Sequence, residues 1–571
     1  MRRSLLLAVL VPAALTSCIF RPRAERVRVP RSWRYARVDS PVVALHAMVA
    51  SEHPIASDVG AEVMRRGGNA IDAAVAVGFA EAVVNPRAGN IGGGGFLVYR
   101  RADGEVFALD YRETAPAAAS RDMYLDSTGQ VTENSLIGPL AAGVPGSVAG
   151  LWEMHHRFGH LPWRELLAPA IRLAGEGHVV DSARAAVISQ NTHRLSRFPT
   201  TAALLMPGGE PLPAGTLWRQ PDLERTLRLI ADSGADAFYR GRIADLIVAE
   251  MRRTHGLITH ADLEAYRALW REPVRISYRG WTIFTMPPSS GGGVTLAEML
   301  NVLEGWPRLP DFGTPGLVHV EVEAMRRAFT DRNRWLGDPA FVQMPLERLL
   351  SKPYAATLRA GIDRRATATA ELPPIVEGTQ TTHYSIVDAE GNAVAITTTL
   401  NDNFGDALVV GGAGFLLNDE MDDFAAKPGT PNSYGLVQGE ANAIAPGKRM
   451  LSAMTPCVVL DSAGRLALVL GSPGGPRIIT GVLQVISNVI DHGMSLSQAV
   501  YAPRIHHQAL PDSIRWEPGG LEPGTRRALE RLGHHFFTRP AGNAVVEAVR
   551  VTPRGLEGVT DPRIPSRAAG F

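Results

Sequence analysis

From about Val42 onward, the pattern of apolar and polar positions divides the chain into helical and strand-like stretches. "HAMVASEHPIASDVGAEVMRRGGNAIDAAVAVGFAEAVVNP" carries two helical patterns, the first ending at Gly67-Gly68 and the second an alanine-rich apolar helix from about Ala70 to Val84. "NPRAGNIGGGGFLVYR" is a glycine run followed by a strand, and "VFALDYRETAP" is a second strand ending in Arg112. The patterns from Ser147 to about Gly256 are mainly helical, and "MPPSSGGGVTLAEMLNVLEG" is a Gly/Ser turn leading into another helix. Periodicity is lost from Ile362 to Gln380, where a Pro-Pro pair marks an exposed connection. It returns as a β-hairpin in "TTHYSIVDAEGNAVAITTTLND". There follow "VVGGAGFLLNDEMDDF", a Pro/Gly loop, two strands through "CVVLDSAGRLALVLG" and, in "SPGGPRIITGVLQVISNVIDHG", a tight turn capping an apolar helix. Strands grouped at the start and end around helices predict a layered α+β protein.

Composition adds little to this picture. The 571 residues are 45% hydrophobic and 20% charged, enough for a large core. Lys plus Arg (58) balances Asp plus Glu (57), so no global charge points to nucleic acid. The first eighteen residues stand apart: "MRRSLLLAVLVPAALTSC" has two arginines, an apolar run from Ser4 to Leu15 and a small-residue site, the layout of a removable secretory signal. Its "LTSC" resembles a bacterial lipobox, which implies a signal over 1–17, lipidation of Cys18 and a membrane-anchored lipoprotein outside the cytoplasm. Residues 18–41 form a basic stretch with seven arginines between Ile19 and Arg37, read as a solvated tether near anionic lipid or as a simple linker. After signal removal only Cys457 remains apart from Cys18, so no intramolecular disulfide is expected.

Several chemistries are excluded by spacing. Gly92 and Gly94 are not followed by a glycine at Leu97, nor by a helix, so the run is not a dinucleotide loop; its glycines allow close backbone approach. His156 and His160 have metal-ligand spacing, but Gly159 and Leu161-Pro162 stop the helix between them. There is no G-x-S-x-G nucleophile elbow.

The hairpin raises a different possibility. Thr381 and Thr382 open it and Thr397, Thr398 and Thr399 close it, which propensity alone explains. A threonine at a chain start is activated by its own α-amino group, with a reference pKa of about 7.7 to 8.0, and an exposed loop ending just before a strand is where such a start can be made. If the turn is Ala389 to Gly391, Thr381 falls opposite Thr399; a loop one residue different puts Leu400 there instead.

"TTHYSIVDAEGNAVAITTTLN", "GFLLNDEMDDF", "PNSYGLVQGEANAIAP", "GSPGGPRIIT", "NPRAGNIGGGGF" and "DYRETAP" together resemble the landmarks of the γ-glutamyltranspeptidase family, in order from about Val42 to the end. The resemblance implies an N-terminal nucleophile hydrolase: an αββα four-layer sandwich built jointly by two subunits that a precursor makes by cutting itself between Gln380 and Thr381. The large subunit would be 42–380 and the small one 381–571, intertwined as a heterodimer. Thr381 would be the nucleophile and Thr399 its orienting hydroxyl. Arg112, helped by Ser452, would hold the α-carboxylate of a γ-glutamyl group, and Asn401, Glu420 and Asp423 its ammonium. Gly474 and Gly475 would form the oxyanion hole and Tyr434 a lid. The implied substrates are glutathione and related γ-glutamyl amides, with water, amino acids or peptides as acceptors and neither metal nor organic cofactor.

Two departures stand out. The family commonly has two serines where this chain has Ser452-Ala453, and a serine where Pro476 follows the double glycine, so weaker carboxylate recognition or altered specificity is implied. The competing expectations are an acylase for glutaryl-type β-lactam side chains, which needs no ammonium pocket, and a non-catalytic surface lipoprotein, which would stay uncut.

Overall fold

The computed structural model describes residues 27–368 and 381–571. Two seven-stranded antiparallel sheets form its centre. The first runs, in spatial order, Arg567–Gly570, Met48–Ser51, Thr382–Val387, Ala393–Thr399, Gly94–Arg100, Val106–Tyr111 and Leu269–Arg271; the second runs Val42–Ala44, Gly555–Val559, Glu547–Thr552, Leu466–Gly471, Cys457–Leu460, Trp281–Thr285 and Val274–Tyr278. Each sheet takes strands from both sides of residues 369–380, so neither side alone contains a complete sheet.

Side-chain alternation explains the layering. One face of the hairpin and its neighbours presents Ala50, Phe96, Val98, Ala108, Ala393 and Ala395, which pack on Val458, Val469 and Val549 of the second sheet. The opposite face presents Leu97, Leu109, Tyr384, Ile386, Val394 and Ile396 to helices that include Ala70–Val84 and Ser147–Phe158. The second sheet's outer face, through Ile276, Ile283, Val459 and Leu468, packs on Gly292–Glu304, Pro315–Trp335 and Arg477–Ile490. The result is the expected αββα sandwich. Helix Ala70–Val84 shows why its sequence lacks a polar face: all fifteen residues are buried, and Asn69 and Asp72 form a reciprocal capping box at its start.

The hairpin register is the one that places Thr381 opposite Thr399. Thr382 pairs with Thr398 and Val387 with Ala393, and the Asp388 N–H donates to the Asn392 carbonyl at 3.1 Å. Gly391 takes a φ of 88°, a left-handed position that suits glycine in this turn. The glycine run does allow close approach: a Cβ on Gly93 would lie 2.1 Å from the Thr399 carbonyl oxygen, and one on Gly95 would lie 2.5 Å from that of Thr397. Gly93→Ala should therefore push the Thr399 strand end away and cost about 1–3 kcal/mol, measurable by denaturant unfolding.

The two histidines part where Gly159 and Leu161-Pro162 suggested. Helix Ser147–Phe158 ends at Gly159, and the His160 N–H is bonded to Asp72, the capping residue of the neighbouring helix. The basic stretch is bound to the body well before Val42. Trp33 is buried and donates to the Tyr501 carbonyl at 2.9 Å, while Arg563 lies over its ring, so residues 27–41 form a strap and not a free tether. Cys18 and Gln380 lie outside the described residues.

Candidate active site

Thr381 sits at the mouth of the inter-sheet layer, one residue before its strand, and is 4% exposed. Thr399, opposite it, is pinned twice: its hydroxyl accepts from the Asn401 N–H at 2.7 Å, and its carbonyl accepts from the Asn90 side chain at 2.9 Å. Asn90 in turn accepts from the Gly93 N–H and the Ser147 hydroxyl, which ties the strand end to the glycine run and to a helix start. The bend after Thr399 needs a φ of 79° at Asn401, a conformation asparagine tolerates better than most side chains.

Thr381 and Thr399 line a cavity with Arg112, Arg332, Asn401, Glu420, Asp423, Tyr434, Ser452, Ala453, Gly475 and Pro476; its volume is only about 20 Å³. The charged groups fill it themselves. Arg112, directly after strand Val106–Tyr111, puts one guanidinium nitrogen 2.5 Å from Glu420 and the other against Asp423, and its Nε donates to the Met450 carbonyl at 3.3 Å. Burial pushes the Glu420 and Asp423 carboxyls above the usual carboxylate range, an effect Arg112 only partly offsets. Burial alone would lower Arg112, but Glu420, Asp423 and Glu113 outweigh it and hold the guanidinium firmly charged.

In the unliganded site these charges pair with one another. Arg112 and the two acids, expected to face opposite ends of a ligand, face each other. Asn401 is likewise engaged: its amide donates to the Asp419 carbonyl at 3.0 Å and accepts from the Tyr434 hydroxyl at 2.7 Å. Tyr434 is buried, with its ring so close to Gly475 that a Cβ there would lie 2.6 Å from a ring carbon.

Gly474 and Gly475 have φ values of 129° and 58°, and neither N–H has an acceptor among the described residues. Pro476 stands at the N-cap of helix Arg477–Ile490 with a φ of −61°, which proline adopts freely, at a helix end whose first N–H groups have no intrahelical partner in any case. Unpaired N–H groups at a helix start are donors of the kind that favour negative charge. Ser452 turns its hydroxyl to accept the Met454 N–H at 3.1 Å, while Ala453 faces the cavity without a polar atom.

Residues 56–571 match the family model described as Gamma-glutamyltranspeptidase. The chain belongs to the γ-glutamyltranspeptidase family. It is similar to a protein named glutathione hydrolase proenzyme from Pseudomonas sp. (strain A14), 48% identical over 93% of this chain and 95% of that one. Another of that name from Escherichia coli (strain K12) is 43% identical over 99% and 98%. Among solved structures, the cephalosporin acylase from Bacillus halodurans superposes with a TM-score of 0.84 at 28% identity, covering 95% of this chain and 99% of that one. The αββα sandwich described above is thus the fold of γ-glutamyltranspeptidases and acylases alike.

The family landmarks did not bring out Asn90, which clamps Thr399, or Arg332, which borders the cavity from helix Pro315–Trp335. Arg332 sits in "DRNRW", which reads locally as an ordinary polar helix end. Cys457 is no rival nucleophile: burial pushes its thiol up to about 12. Among the described residues no group of three or more His, Cys, Asp or Glu side chains is arranged for a metal ion, and no helix is long and apolar enough to cross a membrane. A larger cavity of about 430 Å³, bordered by Trp218, Leu223 and Val409, shares no residue with the site.

Proposed function

We propose that the chain is a self-processing γ-glutamyl hydrolase and transferase that acts on glutathione and related γ-glutamyl amides. The supporting observation is that one cavity holds Thr381, Thr399, Gly475 of the glycine pair and charged side chains of both signs. Cleavage between Gln380 and Thr381 would give a small subunit of 191 residues, 381–571, starting with the nucleophile. Its α-amino group then takes the hydroxyl proton as Oγ1 attacks the γ-carbonyl carbon. Charge developing on the carbonyl oxygen is met by the N–H groups of Gly474 and Gly475. The amide C–N bond breaks, the α-ammonium of Thr381 returns the proton to the leaving amine, and water or an amino-acid or peptide amine resolves the ester.

The Arg112 pairs give this reading its specificity. A γ-glutamyl α-carboxylate can replace Glu420 and Asp423 on Arg112, and its α-ammonium can then occupy the two acids, so Arg112 and these two acids each exchange one partner for another. Tyr434 would close over the bound group against Asn401 and Gly475. Export by the segment 1–17, lipidation of Cys18 and anchoring at a membrane outside the cytoplasm complete the proposal. They rest on the sequence of that segment.

The test compares kcat/KM for a γ-glutamyl anilide and a glutaryl anilide, which differ only in the α-ammonium. Binding glutaryl leaves the buried Glu420 and the largely buried Asp423 without that cation, so the γ-glutamyl compound should be favoured by about 100-fold or more. Equal or reversed rates would transfer the assignment to an acylase, as the structural relative from Bacillus halodurans is named.

A further inference from the structure

Arg332 is 1% exposed, yet no Asp or Glu oxygen comes within ion-pairing distance of it among the described residues. Its guanidinium donates at 3.0 Å to the Asn333 side chain and at 3.3 Å to the Ser452 carbonyl, and its Nε has no partner. The other guanidinium bordering the catalytic cavity, that of Arg112, has three carboxylates within ion-pairing distance, Glu113, Glu420 and Asp423. A buried cation held only by neutral acceptors is costly, because it has surrendered hydration without gaining a counter-charge. Burial lowers its pKa to about 10, with Asp423 opposing and Arg112 reinforcing the shift, so it stays charged at neutral pH and feels both members of the neighbouring pair.

Its location gives that charge a use. Arg332 holds the carbonyl of Ser452, and the next residue, Ala453, offers the cavity only a methyl group where the sequence suggested a missing hydroxyl. We infer that Arg332 is a specificity-determining residue: a second guanidinium that, with Arg112, seats the α-carboxylate of the γ-glutamyl group in place of the hydroxyl absent at Ala453. The inference rests on the γ-glutamyl reading above. In the resting site Glu420 and Asp423 occupy Arg112, so an incoming carboxylate first meets the one cavity guanidinium that no carboxylate holds. The handover to Arg112 follows as the α-ammonium draws the two acids away.

The experiment uses three anilides on the processed full-length enzyme: γ-glutamyl, 4-aminobutyryl, which lacks only the α-carboxylate, and glutaryl, which lacks only the α-ammonium. Arg332→Gln should lower kcat/KM for the γ-glutamyl compound by about 30-fold or more, chiefly through KM, and leave the 4-aminobutyryl rate within about threefold. Adding Ala453→Ser to Arg332→Gln should recover part of the γ-glutamyl rate. A parallel fall with both substrates, with no recovery by the serine, would mean a structural role and overturn the inference. A wild-type enzyme that prefers glutaryl to γ-glutamyl would instead sink the γ-glutamyl reading, since the carboxylate is common to both. If Arg332→Gln does not fold, a crystal structure of the wild-type enzyme with L-glutamate decides. A guanidinium nitrogen of Arg332 within about 3.2 Å of the α-carboxylate supports the role, and a separation beyond 4 Å overturns it.

Discussion

Thr381→Ala should give one uncut polypeptide with no measurable hydrolysis of a γ-glutamyl anilide. Both effects have the same source. A methyl group at this position supplies no oxygen to attack the preceding carbonyl, so no new N-terminus forms, and none to carry the acyl group afterwards. Residual turnover is expected to fall by about 10⁴-fold or more, since an oxyanion site without a nucleophile accelerates little beyond binding and orientation. Denaturing mass analysis separates the possibilities cleanly. Wild type should show a small chain of residues 381–571, and the variant a single species. The fold itself should survive, because Thr381 lies just outside the strand and its truncation removes only a hydroxyl and a methyl from a position already 4% exposed. Two chains from the alanine variant would show that the cut is made elsewhere or by another protease, and the chemistry assigned to Thr381 would fail. Wild type recovered only as one chain under folding conditions would favour the non-catalytic surface protein.

The layered α+β class was legible from periodicity because strands with two buried faces and a fully buried helix leave strong local traces. The alanine-rich run 70–84 became the helix Ala70–Val84, and the stop after His156 became a helix end at Phe158. Register was legible only conditionally: the pairing of Thr381 with Thr399 depended on a turn of three residues, which the Asp388 to Asn392 bond supplies. The four-layer arrangement needed the family resemblance, since nothing local shows that strands near residue 48, 385 and 568 become neighbours. The site divided along similar lines. Glycine spacing indicated close approach, and the structure shows the carbonyls being approached. What one-dimensional reading could not give was the internal pairing of Arg112 with Glu420 and Asp423, because residues more than 300 positions apart carry no mutual signal in a single sequence. Arg332 was hidden for the same reason, and the strap at residues 27–41 because the seven arginines between Ile19 and Arg37, four of them in the strap, read locally as solvated chain.

Arg112→Gln should be the most destabilising single change in the site and should also abolish γ-glutamyl preference. Arg112 is 1% exposed and neutralises the buried Glu420 and the largely buried Asp423, so its loss leaves the two acids facing each other and the cavity without that counter-charge. Breaking a buried pair from one side costs about 3–5 kcal/mol. The deficit should depend on pH, and its sign follows from the direction of the shifts. Burial already holds both carboxyls above their unfolded values, and Arg112 is the largest influence pulling them back. Without it their folded pKa values rise further while the unfolded ones stay near 4. A raised folded carboxyl pKa means the native state binds protons the unfolded state has released, so the variant loses stability relative to wild type as pH climbs above about 4. The gap in melting temperature between the two proteins should therefore be smallest near pH 4 and widen toward pH 8. Glutamine keeps the volume and a donor but neither the charge nor the fork, so activity toward the γ-glutamyl anilide should fall by about 10³-fold, with the larger part in KM. Lysine should restore much of the stability, because it restores the charge, but little of the catalysis, because one ammonium cannot bridge two acids and then pass to a planar carboxylate. A glutamine variant within about 1 kcal/mol of wild type at pH 8, still preferring γ-glutamyl to glutaryl anilide, would mean that the buried pair neither stabilises the site nor selects its ligand.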